Sequence, residues 1–144
     1  MTGVEFHFNA PDKLAYARRL LRKAVARGAK VVVTAEPALL RELDTSLWTF
    51  EALEFLPHCV AGDAPGWVLN ASPVVLADSA CDTPHTNVLV NLGGGVPAGF
   101  ERFERLIEVV SLDEDDRRVA RQRWKHYADR GYAIKRQDLV LKDA

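Results

Sequence analysis

Val4, Phe6 and Phe8 alternate with Glu5 and His7, a period of two that predicts a strand with one buried face. Pro11 and Asp12 then open a helix. Its apolar positions Leu14, Ala17, Leu21, Ala24 and Val25 keep helical spacing, its outer face carries Arg18, Arg19, Arg22 and Lys23, and Gly28 closes it just past Arg27. Lys30 to Thr34 is a run rich in valine, as expected of a strand covered on both faces in a parallel sheet, so Val4 to Thr34 reads as a βαβ unit. Pro37 stands near the start of a second helix, where Leu39, Leu40, Leu43 and Leu47 repeat at helical spacing through to Trp48.

From Thr49 to Pro73 no period is sustained, and the segment reads as an apolar, irregular connection. Val74 to Ala77 and Asn87 to Leu92 are strand candidates, expected to pair as neighbours across the polar stretch Asp78 to Thr86. After Gly93, Gly94 and Gly95, a short helix is expected over Pro97 to Arg105 and a strand over Leu106 to Leu112. A long helix follows, capped by Asp113. Asp113 to Asp116 crowd acid into its first turn and Arg130 falls in its last, both in the sense the helix dipole favours, and Gly131 ends it. Tyr132 to Ala144 reads as a mixed polar tail. The alternation of strands and helices predicts a single α/β domain over residues 1–144, a Rossmann-like three-layer sandwich with a mostly parallel sheet flanked by helices.

Composition changes this picture little. With 144 residues, 48% hydrophobic and 27% charged, the chain has ordinary globular make-up for one core. A net charge of −1 gives the whole molecule no pull toward a nucleic-acid backbone, so any charge logic is local. Two cysteines are too few for a disulfide framework, the start lacks a signal-peptide pattern, and no apolar stretch reaches the ~20 residues of a membrane span; the expectation is a cytoplasmic protein with no membrane contact.

The candidate chemistry is thin. The triple glycine after a strand resembles a phosphate cradle, and a small nucleotide-binding domain or enzyme using the Gly93 to Gly95 turn is the alternative function. It has neither the Lys-Ser/Thr of a P-loop nor the GxGxxG spacing, and it falls late in the chain. His58, Cys59, Cys81 and His85 are zinc-type ligands, but His58 and Cys59 are adjacent and would point opposite ways in a strand, so no metal is expected. There is no GxSxG elbow, and the four histidines read as surface or hydrogen-bonded polar residues; no catalytic residue and no cofactor are assigned.

The last helix says most. Arg117 and Arg121 stand four apart on one stripe with Trp124 between and below them, and Ala120, Tyr127 and Ala128 beside it. A solvated basic helix with Trp124 in the core would produce the same pattern. The functional reading is an apolar notch rimmed by arginine, suited to a peptide ending in an aromatic side chain and a free carboxylate preceded by acids. Eight of the nineteen Lys and Arg residues lie between Arg117 and Arg136, so this end is locally positive. Direct DNA binding by this helix ranks low because the acidic block Asp113 to Asp116 would repel phosphate. A second cluster, Leu47-Trp48 with Phe50, Leu53 and Phe55-Leu56-Pro57, places large apolar side chains in and beside an irregular loop. It is either cover for a sheet edge or a protein interface.

Leu43-Asp44, Leu47-Trp48, Phe55-Leu56-Pro57-His58 with Ala61-Gly62, then Asn87 to Leu92, Phe100, Phe103, Glu108-Val109-Val110 and Ala120-Arg121, Arg123-Trp124-Lys125, Tyr127 and Gly131-Tyr132, taken in order, resemble the chi subunit of bacterial DNA polymerase III. The similarity covers nearly the whole chain and is weakest over residues 62–86. What the resemblance implies is a non-catalytic member of the clamp-loader assembly in DNA replication, with a Rossmann-like fold that has lost nucleotide binding. It implies two partners: the acidic C-terminal tail of single-stranded DNA-binding protein, which ends in an aromatic residue, and the psi subunit, with DNA reached only indirectly. Carried onto this chain, the tail site falls on Val110, Arg117, Arg121 and Trp124, and the surface for psi, or for another protein in its place, falls on Trp48 and Phe55.

Overall fold

A computed structural model describes residues 2–49, 57–61, 64–80 and 83–139, apart from the side chains of residues 48 and 49. Seven parallel strands form one sheet: β1 (Gly3–Ala10), β2 (Val31–Thr34), β3 (His58–Val60), β4 (Val74–Ala77), β5 (Val88–Asn91), β6 (Arg105–Ser111) and β7 (Ile134–Asp138), in the order β3-β4-β2-β5-β6-β1-β7. Helices α1 (Lys13–Ala26) and α2 (Pro37–Thr49) cover one face; α3 (Gly66–Ala71) and α4 (Glu114–Asp129) cover the other. This is the three-layer α/β sandwich expected, with a sheet that is wholly parallel.

Local chemistry sets the element ends as read. The Asp12 carboxylate accepts from Ala15 N at 3.1 Å and starts α1, while Gly28 and Gly131, both at φ 83°, end α1 and α4 in the left-handed region that only glycine enters freely. Asp113 caps α4 by accepting from Asp115 N at 2.9 Å. The acidic turn also ties elements together: Asp116 accepts from Ser111 N at 2.8 Å and pairs with Lys13 Nζ at 3.0 Å, joining β6, α4 and the start of α1. Burial pushes the Asp116 carboxyl up, but the Ser111 amide and Lys13 outweigh it and hold it below the usual range.

Four expectations are corrected. β4 and β5 are not neighbours, because β2 lies between them and bonds both, Val31 to Thr34 facing Val74 to Ala77 on one side and Val88 to Asn91 on the other. Two parallel strands cannot be joined by a tight turn, so the intervening chain passes over β2, burying Ala80 and Thr83 on the way. The segment read as irregular holds β3 and α3. Between Pro97 and Arg105 there is only one 3-10 turn, Phe100–Arg102, entered through Gly99 at φ 82°, and Arg105 already belongs to β6. The segment read only as a mixed polar tail contributes β7, an edge strand whose Lys135 and Arg136 face solvent as edge protection requires.

β1 is covered on both faces. Val4, Phe6 and Phe8 face α4, and the opposite side holds polar groups beneath α1: His7 is buried, its Nδ1 lies 2.5 Å from Tyr16 Oη, and its Nε2 lies 3.5 Å from Glu5, which accepts from Arg105 Nε at 2.6 Å. The polar half of the alternation is thus a hydrogen-bonded cluster instead of a solvated face.

A second buried polar group fixes α4 to the sheet. Glu108, in the middle of apolar β6, is fully buried and accepts from Arg123 Nε at 3.0 Å, Asn91 Nδ2 at 2.8 Å and Tyr127 Oη at 2.5 Å. Arg123 also donates to Gly94 O at 2.8 Å. Burial pushes the Glu108 carboxyl up against the pull of Arg123.

Arg123→Ala leaves that carboxylate without its cation and should destabilise the fold by ~3–5 kcal/mol at neutral pH. The loss should shrink as pH falls and Glu108 takes up a proton; urea titrations at pH 7 and pH 4.5 read both values. Glu5 behaves in the opposite sense. The hydrogen bond from His7, with that of Arg105 and against burial, lowers its pKa from 4.5 to about 2. Its contribution is therefore present above pH 4.5 and lost as pH falls toward 2. Glu5→Gln should flatten that acid limb of the stability curve, and an unchanged limb would place the acid sensitivity elsewhere.

Candidate functional site

The notch read from helical spacing is open in the structure. Arg117, Arg121 and Trp124 of α4 line a recess of about 320 Å³, together with Phe8 and Asn9 of β1 and Arg136 of β7. Trp124 is half-buried. Its ring lies 5.0 Å from Phe6 and 6.0 Å from Phe8 between centroids, so its inner side is packed into a column of aromatic rings that continues to Tyr127, Phe100 and Tyr132. Ala120 and Tyr127 are buried beneath the helix as its spacing requires, while Ala128 is exposed.

The two α4 arginines are poised differently. Arg117 is 38% exposed in its side chain and lies 3.9 Å from Glu114, too long for a firm ion pair; Arg121 is exposed. Among the described residues neither guanidinium is held in a short ion pair, and a planar fork of this kind holds a carboxylate through two parallel hydrogen bonds. The indole beneath them offers an apolar floor. Among the residues that line the recess there are three cations and no acid.

Val110 stands apart from these. It is fully buried in β6, within the apolar cluster against which Trp124 packs, so it supports the floor from below and does not reach the recess. The second surface cannot be followed as far. Trp48 falls near the end of α2 with its side chain outside the described atoms, and Phe55 lies outside the described residues, as do Phe50 and Leu53. Leu47 is buried in the core under α2 and takes no part in an exposed patch.

Sequence reasoning missed Phe8, Asn9 and Arg136 as lining residues. The signal for Arg136 was β7, concealed by its polar edge-strand composition. For Asn9 it was a bulge: the pairing of β1 with β6 slips between His7 and Ala10, and Asn9 takes φ 67°, a left-handed conformation that asparagine tolerates better than most residues.

The other candidates take structural places. Gly93 N donates to Asn91 Oδ1 at 3.0 Å and Gly94 N to Glu36 Oε1 at 3.3 Å, so protein groups already occupy these amides and a carboxylate faces the position a phosphate would take. His58 and Cys59 do point to opposite faces. His58 Nε2 lies 2.9 Å from Asp44, His85 Nε2 lies 2.7 Å from Ser72 O, and Cys81 lies outside the described residues. Among the described residues no three His, Cys, Asp or Glu side chains converge as a metal site would need, and no helix is long and apolar enough to cross a membrane.

Comparison with known proteins identifies the family. Residues 1–135 match the family described as DNA polymerase III chi subunit, HolC. The DNA polymerase III subunit chi of Pseudomonas aeruginosa is 30% identical over 139 residues, covering 93% of this chain and 94% of that protein. The proteins of the same name from Haemophilus influenzae and Escherichia coli are each 25% identical, covering 78% and 74% of this chain and 77% and 72% of their own. A family match over nearly the full length, with a relative 30% identical across almost all of both chains, leads to one conclusion: the chain belongs to the DNA polymerase III chi subunit family and is a replication accessory subunit.

Proposed function

We propose that the chain is an adaptor that seats the acidic C-terminal tail of single-stranded DNA-binding protein in the recess of Arg117, Arg121 and Trp124. On this proposal it joins that tail to the clamp loader through the psi subunit, or a protein in psi's place, at the surface of Trp48 and Phe55. The observation that carries the reading is the coincidence of a cationic rim and a half-exposed indole around one open recess. A chain terminus that combines an aromatic side chain with a free carboxylate needs both features at once. The ring packs on Trp124 and displaces water, and the carboxylate takes the guanidinium forks. Binding at such an exposed rim is salt-sensitive, because screening acts on the arginine contacts and leaves the ring contact nearly untouched.

Reversing one rim charge should lower affinity for a tail peptide ~10-fold or more, since a hydrogen bond to a charged group is worth ~1.5–3 kcal/mol. Titration calorimetry on Arg121→Glu reads this directly, and an unaltered dissociation constant counts decisively against the recess as the tail site. At the other surface, Phe55→Ala should lose one co-purifying protein in a pull-down from cell extract while keeping its affinity for the tail peptide. Retention of every partner would remove Phe55 from the interface.

A further inference from the structure

The recess has two sides. One is α4, with Arg117 and Arg121 a single turn apart; the other is the sheet edge, where Phe8 and Asn9 of β1 and Arg136 of β7 form a wall. Arg136 is held there. Its guanidinium carbon lies 4.7 Å from the centroid of the Phe8 ring, a cation–π contact that orients the group without using its hydrogen-bond donors. Phe8 is itself fixed, stacked 5.5 Å from Phe6 at an interplanar angle of 17° and packed on Trp124. The bulge after His7 brings Asn9 to the recess, and Asn9 Nδ2 donates to Asp138 Oδ1 at 3.0 Å, engaging the acid of β7 nearest the wall. A bulge that re-aims side chains beside a recess is what a binding edge needs.

We infer that this wall is a second subsite, in which Arg136 takes an acidic side chain upstream of the terminal residue seated on α4. The inference rests on the tail-binding reading above and adds to it a specificity-determining residue. A terminal carboxylate is matched by the forks of Arg117 and Arg121 on α4, and Arg136, presented from a different element against the Phe8 ring, adds a third cation that a second acid can use. An extended peptide advances ~3.3 Å per residue, so an acid a few positions before the terminus passes over the wall. The occupant that matches three cations and two half-buried rings is a peptide with internal acids as well as a free end, not a lone carboxylate.

Two synthetic peptides of equal length test this with the full chain at low salt, both ending in phenylalanine with a free carboxylate, one with aspartates and one with serines upstream. The wild type should bind the aspartate peptide about fivefold more tightly, the upper range for an exposed charge pair. Arg136→Gln should bring that ratio close to one while its affinity for the serine peptide stays within about twofold of the wild type. Arg136→Lys, which keeps the charge, should retain most of the preference, and thermal melting of each variant checks that the edge strand remains in place. An undiminished preference in Arg136→Gln, or no preference in the wild type, overturns the second subsite and leaves the α4 notch standing. If neither peptide binds the wild type, the notch falls and this subsite with it; loss of both peptides in Arg121→Glu alone supports the division of labour between α4 and β7.

Discussion

A carboxylate buried in the middle of an apolar strand has to be answered from somewhere, and in this fold the answer holds the last helix in place. Glu108 on β6 receives Arg123 and Tyr127 from α4 and Asn91 from β5, while Arg123 reaches on to the backbone of Gly94. Four separate parts of the chain therefore share one charge-assisted network in low dielectric. Sliding α4 by even one residue would strand the charge, at a cost of several kcal/mol. Apolar packing alone would not define the helix's rotation so sharply, because a stripe of alanines and rings tolerates small shifts.

The rotation matters because the recess is made by the neighbouring face of the same helix. Arg123 points inward and Trp124 is the next residue, so the network that fixes the one also fixes how far the indole emerges beside Phe8. Arg121 and Arg117 lie on the same stripe one and two turns before Trp124. The aromatic column from Tyr132 through Phe100 and Tyr127 to Phe6 gives this edge of the molecule a stiff floor, so that on binding only the arginine side chains have to be ordered.

Much of this was legible in the sequence wherever a single period governed the chain. β1, α1, β2, α2 and α4 each present an amphipathic or fully apolar run with a recognisable cap, and the Arg117, Arg121 and Trp124 stripe follows from helical geometry alone. What escaped was whatever depended on non-local partners. The lattice position of β2 between β4 and β5 is set by pairing across the sheet, which local periodicity does not encode. β7 is an edge strand and carries the charges of one, so its pattern resembles a tail. Arg123 stands out in the sequence only as part of the motif Arg123-Trp124-Lys125, and its burial is signalled by Glu108, an acid where the apolar run Leu106 to Val110 has no room for one unpaired.

The strand order also governs when the molecule can be finished. β1 is made long before its two neighbours, β6 and β7, so Val4 waits for Leu106 on one side and Ile134 on the other. Until then a ribbon containing Phe6 and Phe8 has both edges bare, while the β2, β4 and β5 portion can already zip together from nearer segments. Such long-range parallel closure is slow and leaves sticky intermediates. The arginine-lined recess is assembled from segments far apart along the chain, β1 on one wall with α4 and β7 around it, and its presence therefore reports that the sheet has closed.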